Sequence, residues 1–170
     1  MVASVALSIG KRSLPAYAHR FAPKKFTQPQ LFACLVLKTF FKPDCRGVVV
    51  FLNDMPQLRN AIGLQAVPHF TTLPKAAHRL LGFSAARQLL DASLRAIFGR
   101  KRRIKRAAID SSGFEAGQVS PYFVKRRSRD VGKWQPTTYT RFPKLKIICD
   151  STTHMIIAAY PTRGPTPDVN

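Results

Sequence analysis

The chain has 170 residues, 45% of them hydrophobic, enough to bury the core of one ordinary domain or of a small domain plus part of another. Its 28 Lys and Arg against 8 Asp and Glu leave a net charge of +20, which repels itself in a compact state unless a polyanion neutralises it. The apolar content excludes wholesale disorder, and with no run of about 18 apolar residues nothing spans a bilayer. Nucleic acid is the expected polyanion, with a membrane surface as the competing partner.

The opening, MVASVALSIGKRSLPAYA, carries a short apolar run but lacks the basic region that precedes it in an export signal. Residues 1–26 are basic and without durable periodicity, which predicts a poorly ordered arm. A helical region is expected over 27–99. Thr27 can cap a helix with Pro29 in its first turn, and Leu31, Phe32, Leu35, Phe40 and Phe41 recur at roughly helical spacing until Pro43 stops it. The GVVVFL run at 47–52 is β-branched enough for a strand, but its length and flanks favour a helix.

Pro56 suits the first turn of a short helix reaching Ile62, and Gly63 its C-terminal turn. Thr71 or Thr72 can cap the next, in which Leu73, Ala76, Ala77, Leu80 and Leu81 share one face while Lys75, His78 and Arg79 take the other. Gly82 breaks that helix and Ser84 opens another, with Ala86, Leu89, Leu90, Leu94, Ile97 and Phe98 repeating the pattern to Gly99. Short helices, tight turns and one basic face are compatible with a helix-turn-helix reader of DNA; an ordinary bundle with a solvated charged face produces the same periodicity.

The chain changes character over 100–170. RKRRIKR places Arg100, Lys101, Arg102, Arg103, Lys105 and Arg106 around one isoleucine, and an apolar run at 106–110 then has strand length. Leu145–Cys149 and Met155–Tyr160 flank a polar turn and read as a hairpin, so three strands are expected. Lys125, Arg126, Arg127, Arg129 and Lys133 add a second basic block in the loop 116–143. Fifteen bases face three acids between Arg95 and Lys146, interleaved with Phe114, Tyr122, Phe123, Trp134, Tyr139 and Phe142. Cations that displace counterions and rings that stack on bases suit a surface tracking a nucleic-acid backbone.

Asp110 stands at the end of the first expected strand, where a rigid element could project hard oxygens toward Mg2+ or Mn2+. An Asp followed by Ser-Ser-Gly is more often a turn residue, bonding its own backbone, than a ligand. Asp150 is explained by the hairpin connection, and Asp168 by a cap after a Gly-Pro-Thr-Pro breaker. Cys34, Cys45 and Cys149 lack metal-ligand spacing, and His19, His69, His78 and His154 are scattered.

AAIDSSGF, followed by RFPKLKIICDSTTHMIIAAYPTRGPTPD, resembles the start of the catalytic domain of DDE transposases from prokaryotic insertion sequences of the insertion-sequence-four and insertion-sequence-five-like groups. CRGVVVFLNDMPQLRNAIGLQAVPHFTTLPKAAHRL resembles the helical region before that domain, so the likeness runs over about 27–170. It implies an α+β protein: a helix-turn-helix-like part, then the first three antiparallel strands of an incomplete ribonuclease-H-like domain. It also implies DNA transposition with Mg2+ or Mn2+ in the intact enzyme, binding to double-stranded DNA at terminal inverted repeats, a cytoplasmic, nucleoid-associated location, and an oligomer with intact transposase.

Asp110 takes the place of the family's first acid. Asp150, Asp168 and Glu115 match neither the second Asp nor the Glu, so DNA binding without strand cleavage is the expectation for this chain alone. The alternative is a non-catalytic basic nucleic-acid-binding protein in which Asp110 is only structural. On either reading the DNA contacts fall to Lys75, Arg79 and the two basic blocks.

Overall fold

A computed structural model describes residues 1–99, 103–114 and 143–163. They form an α+β protein in two compact units, Met1–Arg102 and Arg103–Asn170. Arg100, Lys101, Arg102, Lys125, Arg126, Arg127, Arg129 and Lys133 lie outside the described residues, as does the loop 116–142.

The first unit is helical and begins earlier than expected. Val2–Ser13 is a helix, α1, rather than a loose arm. Ala3, Ala6 and Gly10 are spaced to fall on one side and are buried. Small residues hide this periodicity in the sequence, because alanine and glycine add little hydrophobicity, yet they let two helices approach closely. The partner is α2, Gln28–Phe41, and a Cβ added at Gly10 would lie only 3.0 Å from Pro29 Cα. The connection is tied down where Gln28 N–H donates to Ala16 O at 2.8 Å.

Thr27 caps α2 as expected and does so within a capping box. Its Oγ1 accepts the Gln30 N–H at 3.3 Å, and Gln30 Oε1 accepts the Thr27 N–H at 2.9 Å. Leu31, Cys34, Leu35 and Leu37 are buried. Phe40 and Phe41 are not: they are 59% and 47% exposed, because the last turn of α2 runs past the core before Lys42 turns left-handed at φ 61°. Their rings stack edge-on, and Phe41 meets Phe51 at 5.7 Å.

The ambiguous apolar run resolves as the helix α3, Cys45–Asp54. Asp44 caps it, its Oδ1 accepting the Gly47 N–H at 2.7 Å, and Val48 and Leu52, one turn apart, enter the core. Pro56–Ala61 is the short α4. Gly63 then takes φ +64°, a conformation that suits glycine, and its carbonyl accepts the Gln30 side chain.

Thr72–Leu80 is α5, with Leu73, Ala76 and Leu80 buried and Leu81 exposed beyond its end. Phe83–Phe98 is α6; its cap is Gly82, so Ser84 sits inside the first turn instead of before it. Leu89 and Leu94 are buried, whereas Ile97, expected on the apolar face, is exposed. α5 packs on α2 and α6 on α1, so the helices either side of the Leu81–Gly82 turn dock on different neighbours. One core joins α1, α2, α3 and α5 through Ala6, Leu31, Leu37, Leu52, Ile62 and Leu73. Each fully buried leucine there contributes about 1.5–3 kcal/mol.

The second unit is an antiparallel sheet in the order β1-β2-β3: β1 Ala107–Gly113, β2 Pro143–Asp150 and β3 Ile156–Arg163. The three expected strands exist but run longer than the apolar runs that announced them. Backbone pairing carries β1 through Ser111, Ser112 and Gly113, opposite Lys146, Leu145 and Lys144. Pro161 is tolerated because β3 is an edge strand of the described sheet. Ile109 and Tyr160 remain more than half exposed, at 53% and 55%.

Candidate functional site

Two places match the residues singled out by sequence: the outer face of α5 and the strand holding Asp110. On α5 the apolar stripe is buried, which leaves Lys75, His78 and Arg79 exposed. Lys75 and Arg79 are four residues apart and share a face. Thr71 precedes them by another four residues, in helical conformation and exposed, so it continues their stripe.

At that end of α5, Thr71 does not make the expected cap bond to the helix backbone. Its hydroxyl instead meets His69 Nδ1 at 2.8 Å. The His69 and Phe70 rings are 4.2 Å apart, and the Arg46 guanidinium lies 4.6 Å above the centre of the Phe70 ring. Arg46 was not among the candidate DNA contacts. Nothing local to it distinguishes it from other surface arginines, since its aromatic partner is 24 residues away in the sequence.

Asp110 is neither at the end of a strand nor in a turn. It is the fourth residue of the seven-residue β1, paired with Ile147 of β2, and it is exposed. Its Oδ1 accepts the N–H of Ser111 at 2.7 Å, so the carboxylate bonds its own backbone as a turn aspartate would, but from an extended segment.

Side chains alternate along a strand, and directly paired residues share a face. Asp110 therefore lies with Ile147 and Ala159, whereas Ser111 shares the opposite face with Lys146 and Tyr160, and Gly113 with Lys144 and Thr162. The strand lysines point away from the Asp110 side. Within the described strands, Lys144 and Lys146 thus share the face opposite Asp110. Arg103, Lys105 and Arg106, before β1, are exposed.

Asp150 closes the hairpin. It is 6% exposed; Oδ1 accepts the Thr152 N–H and Oδ2 the Thr153 hydroxyl, each at 3.0 Å. The Thr152 N–H, helped by the Thr153 hydroxyl, holds its carboxyl below the usual aspartate value even though burial acts the other way. His154, at φ 56°, completes the turn by donating its N–H to Asp150 O.

Asp150 pairs with Ala107 and so lies on the face opposite Asp110; the two carboxylates cannot grip one ion from the sheet. Among the described residues no three His, Cys, Asp or Glu side chains cluster as a metal site. A lone surface carboxylate supplies one oxygen donor group, whereas Mg2+ or Mn2+ held for phosphoryl transfer needs several. The described residues thus fit one ligand of such a site rather than the site itself. Among them no helix is long and apolar enough to cross a membrane.

Comparison with protein-family models, curated proteins and solved structures finds no match to this chain.

Proposed function

We propose that the chain is a DNA-binding protein of transposition, similar to the front part of a DDE transposase. Its helical unit holds double-stranded DNA, in the manner of a helix-turn-helix reader, and Asp110 is the first of the acids that hold a divalent metal. The observation that carries the reading is the placement of Asp110: an exposed carboxylate in the first of three antiparallel strands, the number and kind of strands the resemblance implies for the opening of a ribonuclease-H-like sheet. The exposed Lys75 and Arg79 and the excess of base over acid support the DNA partner. With one matched acid, the reading assigns DNA binding to these residues and leaves strand cleavage to a site completed by further carboxylates.

A specific observation favours a second reading, a basic nucleic-acid-binding protein without metal chemistry. The Asp110 carboxylate is engaged with the Ser111 N–H, and its face of the sheet offers Ile147 and Ala159 in place of polar partners.

Two measurements on the full chain separate the readings. Affinity for a labelled duplex, followed by fluorescence anisotropy, should fall steeply with salt, and Lys75→Ala/Arg79→Ala should lower the log–log slope by about 1.8, at 0.9 per phosphate contact. Binding that ignores salt would sink both readings. Paramagnetic Mn2+, titrated in NMR, should broaden the β1 amides near Asp110 selectively, and Asp110→Asn should remove that effect while Asp150→Asn spares it. Broadening with no preference for β1 would leave only the second reading.

A further inference from the structure

We infer that Arg46 is a third phosphate contact of the α5 face, held in place by Phe70; the inference rests on the DNA-binding reading above and extends it to α3. Arg46 belongs to the first turn of α3, and its guanidinium lies 4.6 Å over the Phe70 ring, just ahead of α5. Phe70 also touches His69 ring to ring, and His69 meets the Thr71 hydroxyl. From Thr71 the exposed stripe continues through Lys75 to Arg79 at one-turn intervals. Ring and hydrogen-bond contacts, followed by helix spacing, therefore connect Arg46 to the two α5 cations without a break.

Three properties suit this surface to a phosphate backbone. Lys75 and Arg79 are separated by about 6 Å of helix rise, on the order of two nucleotides along one strand. Among the described residues no carboxylate pairs with Arg46, Lys75 or Arg79, so their charge is available to a polyanion. The nearest acid in sequence to Arg46, Asp44, is occupied in capping α3 through Gly47. Stacking restricts the guanidinium while leaving its edge donors unused, so less freedom is lost when it meets a phosphate oxygen. Phe70 is half-buried, which anchors the stacking platform to the unit.

The test is duplex binding by the full chain at several salt concentrations, comparing wild type with Arg46→Ala, Arg46→Lys, Phe70→Leu and Lys75→Ala/Arg79→Ala. Arg46→Ala should lower the salt slope by about 0.9, the value of one phosphate contact. Arg46→Lys should keep the slope, because charge is retained, and still bind more weakly, because the planar stacked group is gone. Phe70→Leu should weaken binding with the slope nearly unchanged; should it fail to fold by circular dichroism, Arg46→Lys carries the same comparison on an exposed residue. Wild-type affinity and slope in Arg46→Ala, with loss in Lys75→Ala/Arg79→Ala, would overturn the role of Arg46 alone. No loss in Lys75→Ala/Arg79→Ala would overturn the DNA face on which that role depends.

Discussion

Gly10→Ala tests whether α1 is docked, because its sign depends on what α1 touches. In an unpacked helix the substitution stabilises by about 0.8–1.0 kcal/mol, since alanine loses less backbone freedom than glycine. In the structure, the new Cβ would lie 3.0 Å from Pro29 Cα, 3.1 Å from Pro29 Cβ and 3.3 Å from Phe32 Cδ1. All three are shorter than the optimal carbon–carbon separation of about 3.5–4.0 Å. Pro29 is ring-locked in the first turn of α2, just inside the Thr27 capping box, so it cannot swing aside as a flexible side chain would. Overpacking of this kind costs about 1–3 kcal/mol, which offsets the helix gain and leaves a net loss of about 1 kcal/mol.

Gly10→Val adds two more methyl groups and recovers less helix propensity, so it should lose more. Thermal melts of the helical far-ultraviolet signal are the assay, with Ser8→Ala on the exposed side of α1 as control. A loss of 1 kcal/mol lowers the melting temperature of a unit this size by about 4 °C. Were both Gly10 variants to melt higher, as Ser8→Ala should, α1 would be a helix that does not pack on α2.

Two further outcomes follow from single side chains. The Asp150 carboxylate is stabilised in the folded hairpin, so its value is depressed there; the contribution is present above the ordinary aspartate value and is lost as the pH falls through the folded value, below about pH 4. Hydrogen exchange at Thr152 and across β2 and β3, corrected for intrinsic rates, should accelerate in that acid window, and in Asp150→Ala already at neutral pH; equal protection in both proteins would refute the turn's role. Burial pushes the Cys34 thiol up to about 12, whereas Cys45 and Cys149 are half-buried. A thiolate-selective reagent should modify those two in the native protein and reach Cys34 only on unfolding; native labelling of Cys34 would contradict the packing of α2.

The order and type of most elements were legible in the sequence because their signals are local. Thr27 and Pro29 mark the start of α2, Gly63 and Gly99 take positive φ where helices close, and the stripe of Leu73, Ala76 and Leu80 is a periodicity one helix carries by itself. The existence of three strands was equally readable from short apolar runs around a polar turn, and so was the excess of base over acid. Helix α1 was missed because alanine and glycine make a packing face that looks like no face until its neighbour is known.

Tertiary structure alone decided the rest, since each point depends on a second segment. Whether Phe40 and Phe41 are buried depends on where the core ends, and Arg46 acquires its place only when Phe70 arrives from the next helix pair. The strand register turned Asp110 toward Ile147 and the strand lysines toward the other face. Side chains alternate with a period of two, so no count of charges along the chain can tell an acid among bases from an acid with its back to them.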